Sequence, residues 1–150
     1  AYPARNGGLE MAFIEWADND TTVQAFCKIS ETRHDFARLR YVKEDGLPAF
    51  YSPDFLVRTA DAVYLVETKA QKDVTSPNVQ RKLKAAQTWC ERINTLPPEA
   101  HDERPWHYVL LGESMFYDWK NKSARLGELL AFARVRPLAS AATQGSLNLI

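Results

Sequence analysis

The sequence has 150 residues, of which 45% are hydrophobic and 25% charged. These proportions are typical of an ordinary globular domain and exclude a disordered or fibrous chain. The 19 basic and 19 acidic residues cancel, which argues against a domain that holds nucleic acid by bulk electrostatics alone, so any such contact must be local or assisted. No apolar run reaches the roughly 20 residues that cross a bilayer, and the N-terminus lacks a secretory pattern, so a cytoplasmic location is expected.

The predicted elements run in the order helix, three or four strands, helix, strand, helix. In three segments apolar residues recur at helical spacing. In five other segments they alternate with polar residues or form continuous apolar runs, as strands do. The predicted helices are 8–18, 75–94 and 123–135, and the predicted strands are 23–29, 35–42, 53–58, 63–69 and 106–112. This order predicts an α/β domain with a central four- to five-stranded mixed sheet flanked by helices on both faces.

The whole of 1–150 is expected to form one domain, because no repeat or low-complexity linker divides it. Pro137 ends the last predicted helix, and 137–150 is expected to be a loose tail. The chain begins at Ala1 rather than Met, which suggests a piece excised from a longer polypeptide. Cys27 and Cys90 lie in apolar segments without a CxxC pattern, so both are expected to be buried thiols.

Three charges lie within or at the ends of the apolar strands 53–58 and 63–69. If 59–62 forms the hairpin loop, the antiparallel register places Asp54 opposite Glu67. Lys69 follows Glu67 by two residues and therefore shares its face of the strand. The three charged side chains should converge at one end of the strand pair.

Apolar neighbours on both faces indicate that these strands are buried. Two buried carboxylates repel each other and lose hydration, which requires either a cation between them or a proton on one of them. A hard divalent ion is the natural bridge. The alternative is a structural one, in which Lys69 forms a salt bridge with Glu67 and Asp54 caps a turn.

Each of two predicted helices carries one charged residue on its apolar side. On a helical wheel Glu10 lies between Ala17 and Ile14, inside the inward arc of the first helix, and Lys82 lies within the apolar arc of the long helix. Both are therefore candidates for the same site. The alternatives are that Glu10 is a first-turn residue stabilised by the helix dipole and that Lys82 extends over apolar neighbours into solvent.

These residues resemble a known nuclease signature. Pro53-Asp54 followed by Glu67-Thr68-Lys69 resembles the motif of the PD-(D/E)xK nuclease superfamily, and YSPDF, VYLVETKA and KLKAAQTWC are similar to the endonuclease domain of type III restriction enzymes (the Res subunit). The resemblance covers about 8–112. One departure is Ala70, which stands where many relatives have glycine.

The resemblance implies a restriction-endonuclease-like fold with a Mg²⁺ site, in which Mn²⁺ is expected to substitute. The implied metal ligands are Asp54, Glu67, the backbone carbonyl of Thr68 and, directly or through water, Glu10. Lys69 would orient or activate the attacking water, and Lys82 would contact the scissile phosphate. Mg²⁺ keeps several waters, so this sparse acidic set is sufficient.

The sequence therefore predicts a Mg²⁺-dependent DNA endonuclease domain, the cleavage module of a type III-like restriction enzyme. The expected partners are DNA, a helicase or translocase portion of the same longer chain, and a modification or specificity subunit. One alternative is a structure-selective repair nuclease of the same superfamily. Another is a catalytically silent nuclease-like module that docks partners or binds nucleic acid.

Overall fold

Residues 8–29 and 39–135 are described by a computed structural model. In these ranges the helices are α1 (Gly8–Asn19), α2 (Pro77–Asn94), α3 (Glu113–Asn121) and α4 (Leu126–Val135). The strands are β1 (Ala25–Lys28), β2 (Leu39–Val42), β3 (Pro48–Tyr51), β4 (Phe55–Arg58), β5 (Val63–Lys69) and β6 (Trp106–Gly112). Two short 3₁₀ helices cover Gln71–Asp73 and Pro98–His101. Neither α2 nor any other helix in the described part of the chain has the length and apolarity that a bilayer requires.

Four strands form the central mixed sheet, in the order β1-β4-β5-β6. The pairs β1–β4 and β4–β5 are antiparallel, and β6 runs parallel to β5. The β4–β5 register pairs Phe55 with Val66 and Arg58 with Val63, as the hairpin loop at 59–62 predicts. The predicted α/β fold with a four-stranded mixed sheet and flanking helices is confirmed.

The sheet separates two apolar cores, which is why β5 is buried along almost its whole length. On one face α1, α3 and α4 pack around Phe13, Phe55, Phe116 and their neighbours. On the other face α2 and the strands β2 and β3 pack around Leu39, Leu65 and Leu110. Alternate residues of β5 therefore face different cores, and Glu67 lies on the α2 face because Leu65 does.

Two features of the fold differ from the sequence prediction. β2 does not join the central sheet but pairs with β3 in a separate two-stranded sheet. β3 was not predicted, because it has only four residues and begins with Pro48, which resembles a continuation of the preceding turn. Part of the predicted strand 35–42 and all of the predicted tail 137–150 lie outside the described residues.

The predicted closing helix, 123–135, corresponds to α4, and α3 is an additional helix that was not predicted. α3 follows β6 directly, with Gly112 as its N-terminal cap residue, so no loop of turn-forming residues marks its start in the sequence. Its buried residues Met115 and Phe116 join the core under α1 and α4. α4 then begins at Leu126 rather than at residue 123.

A buried carboxylate joins α1 to the start of α4. Asp20 accepts hydrogen bonds from Trp16 Nε1 (3.1 Å), from the N–H (2.8 Å) and hydroxyl of Thr22, and from Leu126 N–H (2.8 Å). Burial raises the pKa of Asp20, but these hydrogen bonds outweigh it and lower the pKa below the ordinary value of 3.8. Asp20 thus caps α4 in its ionised form.

Asp20→Ala is expected to lower the free energy of unfolding by about 2–3 kcal/mol, because it leaves buried donors without an acceptor. The loss should appear in urea unfolding above pH 5. The loss should shrink as the pH falls below 3.8. In this range Asp20 is protonated in the unfolded chain but stays ionised in the folded protein, so the stabilisation that its ionised form provides decreases. Asp18→Ala, at an exposed position in the last turn of α1, two residues before Asp20, is the control. Equal losses for both variants would contradict the capping role.

Candidate active site

Asp54 is held at the point where β4 begins. Its main-chain N–H donates to Val66 O (2.9 Å), and its main-chain carbonyl accepts from Ile29 N–H (2.8 Å). Its side-chain Oδ2 accepts from both the N–H (2.8 Å) and the hydroxyl (3.0 Å) of Thr68. Asp54 is therefore fixed between β1 and β5, and its carboxylate lies at the Glu67-Thr68-Lys69 end of β5.

Glu67 is the most buried charged residue of this region, with 4% of its surface exposed. Lys69 Nζ lies 3.3 Å from Glu67 Oε2, and the Lys69 side chain is 29% exposed. Two buried tyrosines, Tyr51 and Tyr108, are near enough for the charge of Glu67 to raise their pKa values, after burial as the main cause. The predicted convergence of Asp54, Glu67 and Lys69 is present in the structure.

The pKa of Glu67 is raised to about 7. Burial is the main cause of this rise, and the negative charge of Asp54 is the second. The positive charges of Lys69 and Lys82 oppose this shift without cancelling it. A carboxyl group with this pKa exchanges its proton near neutral pH. The side chain is therefore sensitive to any cation that enters the site.

The pKa of Asp54 is also raised, first by burial. The hydrogen bonds from Thr68 and the charge of Lys28 lower it, and the charge of Glu10 raises it. Glu10 therefore lies near enough for its charge to act on Asp54.

Lys82 of α2 lies on the side of the site formed by the two-stranded sheet. Its Nζ is 5.5 Å from the ring centroid of Tyr41 and 5.2 Å from that of Tyr51, and these cation–π contacts help to position the ammonium group. The hydroxyl of Tyr51 also donates to Lys82 O (2.8 Å). Lys82 is also near enough to Glu67 for its positive charge to lower the pKa of that carboxyl.

Lys28 is a member of the site that sequence reasoning missed. Its Nζ forms an ion pair with Glu10 Oε2 at 3.1 Å and lies 5.1 Å from the ring centroid of Phe55. Glu10 is 34% exposed and belongs to the opposite face of the sheet from Glu67. Lys28 ends a four-residue strand and carries no motif, so only the β1–β4 pairing could have placed it beside Asp54.

Asp54 and Glu67 supply oxygen ligands of the kind that a hard divalent cation prefers. In residues 8–29 and 39–135, the side-chain hydrogen bonds to Asp54 reach Oδ2, and Lys69 Nζ lies 3.3 Å from Glu67 Oε2. The N–H and C=O of one strand residue face the same neighbouring strand, so the carbonyl of Thr68 faces the Asp54 side. Within the described ranges no group of three or more His, Cys, Asp or Glu side chains could hold a metal ion. An oxygen-only pair is the kind of ligand set that Mg²⁺ prefers, whereas structural zinc sites are usually built from Cys and His.

Comparison with family models reports a match over part of the chain. Residues 26–95 are similar to the family described as TnsA-like endonuclease N terminal. This family is a PD-(D/E)xK nuclease family, so over these residues the match agrees with the superfamily resemblance predicted from the sequence. The resemblance to type III restriction enzymes is not shown. No curated protein and no solved structure matches the chain.

The matched segment spans somewhat under half of the chain and contains most of the site. Asp54, the Glu67-Thr68-Lys69 run, Lys82 and Lys28 all lie within 26–95, whereas Glu10 lies outside it. The signature residues thus rest on both the geometry and the family match. Glu10 rests on the geometry alone.

In EDTA, the free energy of unfolding is expected to fall as the pH rises from 5 to 8. The folded protein keeps a proton on Glu67 up to about pH 7, whereas the ordinary pKa is 4.5, so the folded state binds more protons in this window. Glu67→Gln should remove most of the fall, about 1–3 kcal/mol, as measured by urea unfolding. Glu15→Gln, at an exposed position of α1, should keep it. An unchanged fall in Glu67→Gln would show that the burial of Glu67 is not its cause.

Lys82→Met is expected to raise the pKa of Glu67 above about 7, because it removes a positive charge that lowers this pKa. The titration of the Glu67 side-chain carboxyl carbon, followed by NMR, measures the change directly. Lys84→Met, at an exposed position two residues along the same helix, is the control. A Glu67 titration that is the same in both variants would place Lys82 outside the site.

Proposed function

We propose that this chain is a Mg²⁺-dependent DNA endonuclease domain that hydrolyses phosphodiester bonds. The observation that carries the proposal is the pairing of half-buried Asp54 with buried Glu67, with Lys69 Nζ 3.3 Å from Glu67, inside a segment that matches an endonuclease family. The charge of Asp54 raises the pKa of Glu67, and a bound cation would offset this repulsion. The lysine beside them can then act on a water molecule or a phosphate.

In this proposal Asp54 and Glu67 are the protein ligands of the ion, with the carbonyl of Thr68 and, through water, Glu10. Bound Mg²⁺ would lower the pKa of a coordinated water and stabilise the leaving oxygen of an in-line displacement. Thr68 holds Asp54 Oδ2, which leaves Oδ1 to face the ion. Mn²⁺, which accepts the same oxygen ligands, is expected to substitute.

The lysines are assigned separate roles. Lys69 orients the attacking water and stabilises negative charge on the phosphate, because its ammonium is half-buried next to the carboxylate that holds the ion. Lys82 contacts the scissile phosphate from α2, and the rings of Tyr41 and Tyr51 keep its ammonium directed toward Glu67. Loss of Glu67's proton accompanies ion binding, so activity should rise with pH through neutrality.

The biological setting is a separate question from the chemistry. The matched family is transposase-associated, and this favours a module that cuts DNA within a transposition system over the cleavage module of a type III-like restriction enzyme. In either setting DNA is the substrate. A helicase or translocase portion and a modification or specificity subunit remain hypotheses of the restriction setting and find no support in the match.

A catalytically silent docking module is the main alternative from another class. Such a module has no use for two repelling carboxylates whose burial lowers its stability, so the raised pKa values of Asp54 and Glu67 speak against it. A structure-selective repair nuclease would use the same residues. The shape of the preferred DNA substrate distinguishes it from the other nucleases.

The proposal is tested by incubating the chain with supercoiled plasmid and with labelled single-stranded DNA in Mg²⁺, Mn²⁺ or EDTA. We expect metal-dependent cleavage that falls by at least about 100-fold in Asp54→Asn and Lys69→Ala. Asp61→Asn is the matched control for Asp54, because it lies in the loop at the opposite end of the same strand pair and is exposed. Lys120→Ala, exposed on α3, controls for Lys69.

Calorimetric titration with Mn²⁺ distinguishes a nuclease that needs partner proteins for activity from a catalytically inactive docking module. Binding that Asp54→Asn abolishes and Asp61→Asn retains would support the metal site even without cleavage by the isolated chain. A folded chain that neither cleaves DNA nor binds Mn²⁺ would overturn the proposed function in favour of the docking module.

A further inference from the structure

Lys28 stands out because neither the nuclease signature nor the proposed mechanism uses it. The described site contains six formal charges, three of each sign. The acids are Glu10, Asp54 and Glu67, and the lysines are Lys28, Lys69 and Lys82. The site is therefore formally neutral by itself and becomes positive with a divalent cation, which is the state that attracts DNA.

Among these lysines Lys28 is the one most open to a large ligand. Its side chain is 51% exposed, compared with 29% for Lys69. Lys69 pairs with Glu67, which is only 5% exposed, whereas the partner of Lys28 is Glu10, which is 34% exposed. An exposed ion pair contributes little to stability, because solvent screens it. A DNA phosphate can therefore replace Glu10 as the partner of Lys28 at little cost.

The position of Lys28 is nevertheless defined before a ligand arrives. Its Nζ lies over the ring of Phe55, and Phe13 stacks on Phe55 with ring centroids 4.6 Å apart. Phe13 and Phe55 are fully buried, so this aromatic support is rigid. Phe55 directly follows Asp54 in the chain, which keeps the ammonium at the rim of the proposed metal site.

We propose that Lys28 binds a backbone phosphate of the DNA strand at the active site and exchanges its ion pair with Glu10 for that phosphate. The proposal rests on the proposed function, because it requires DNA at this site. A lysine acts on phosphate as a point charge, so the contact contributes affinity without sequence preference. The competing explanation is that Lys28 only neutralises Glu10.

The test measures DNA binding by fluorescence anisotropy with a labelled duplex in Mg²⁺, in a Lys69→Ala background that suppresses cleavage. Lys28→Ala should weaken binding about tenfold at low salt and should reduce the slope of log K against log salt by about 0.9, the value of one phosphate contact. Both effects should be the same for two unrelated duplex sequences. Lys28→Arg, which keeps the charge, should restore affinity and slope.

Lys122→Ala is the matched control, because Lys122 forms an exposed ion pair with Asp118 at the same 3.1 Å distance but on α3. It should change neither affinity nor slope. A Lys28→Ala variant that binds DNA like this control would overturn the inference and leave the proposed function intact. A parent protein that does not bind DNA at low salt, while the variants remain folded by circular dichroism, would count against the proposed function itself.

Discussion

The approach of two carboxylates, half-buried Asp54 and buried Glu67, at one end of a strand pair is the constraint on which the site depends. The β4–β5 pairing places them together, and the charge of Asp54 raises the pKa of Glu67 beyond the effect of burial. Hydrophobic packing on both faces of β5 supplies the free energy that holds them there. The proposed metal site is thus maintained at the expense of stability, as functional sites commonly are.

Asp20 is a carboxylate with a structural role in the same chain, and its surroundings differ from those of Asp54 and Glu67. It is also buried, at 8% exposure, but four hydrogen-bond donors surround it and its pKa is lowered. In the described part of the chain, the side-chain hydrogen bonds to Asp54 reach Oδ2, and both Asp54 and Glu67 have raised pKa values. The direction of the pKa shift therefore distinguishes a carboxylate that hydrogen bonds stabilise in its ionised form from two whose ionised form burial disfavours.

The cations of the site come from three separate elements. Lys28 is at the end of β1, Lys69 at the end of β5 and Lys82 on α2. Aromatic rings position two of them, Phe55 under Lys28 and the Tyr41–Tyr51 pair under Lys82. Both cores of the domain therefore reach the site, so that the packing of each core sets the position of one ammonium group.

The sequence by itself determined the strand pair and its charges, because a short hairpin and a period of two fix the register locally. Asp54, Glu67 and Lys69 follow from that register, and the helical period of α1 and α2 gave the directions of Glu10 and Lys82. Only the tertiary structure decided that Lys28 joins Glu10 across 18 residues, that β2 and β3 leave the main sheet to support Lys82, and that α3 begins without a loop. These contacts depend on how elements that are distant in the sequence pack against each other. The pattern of apolar residues within one segment shows which of its faces is buried, but not which other segment covers that face.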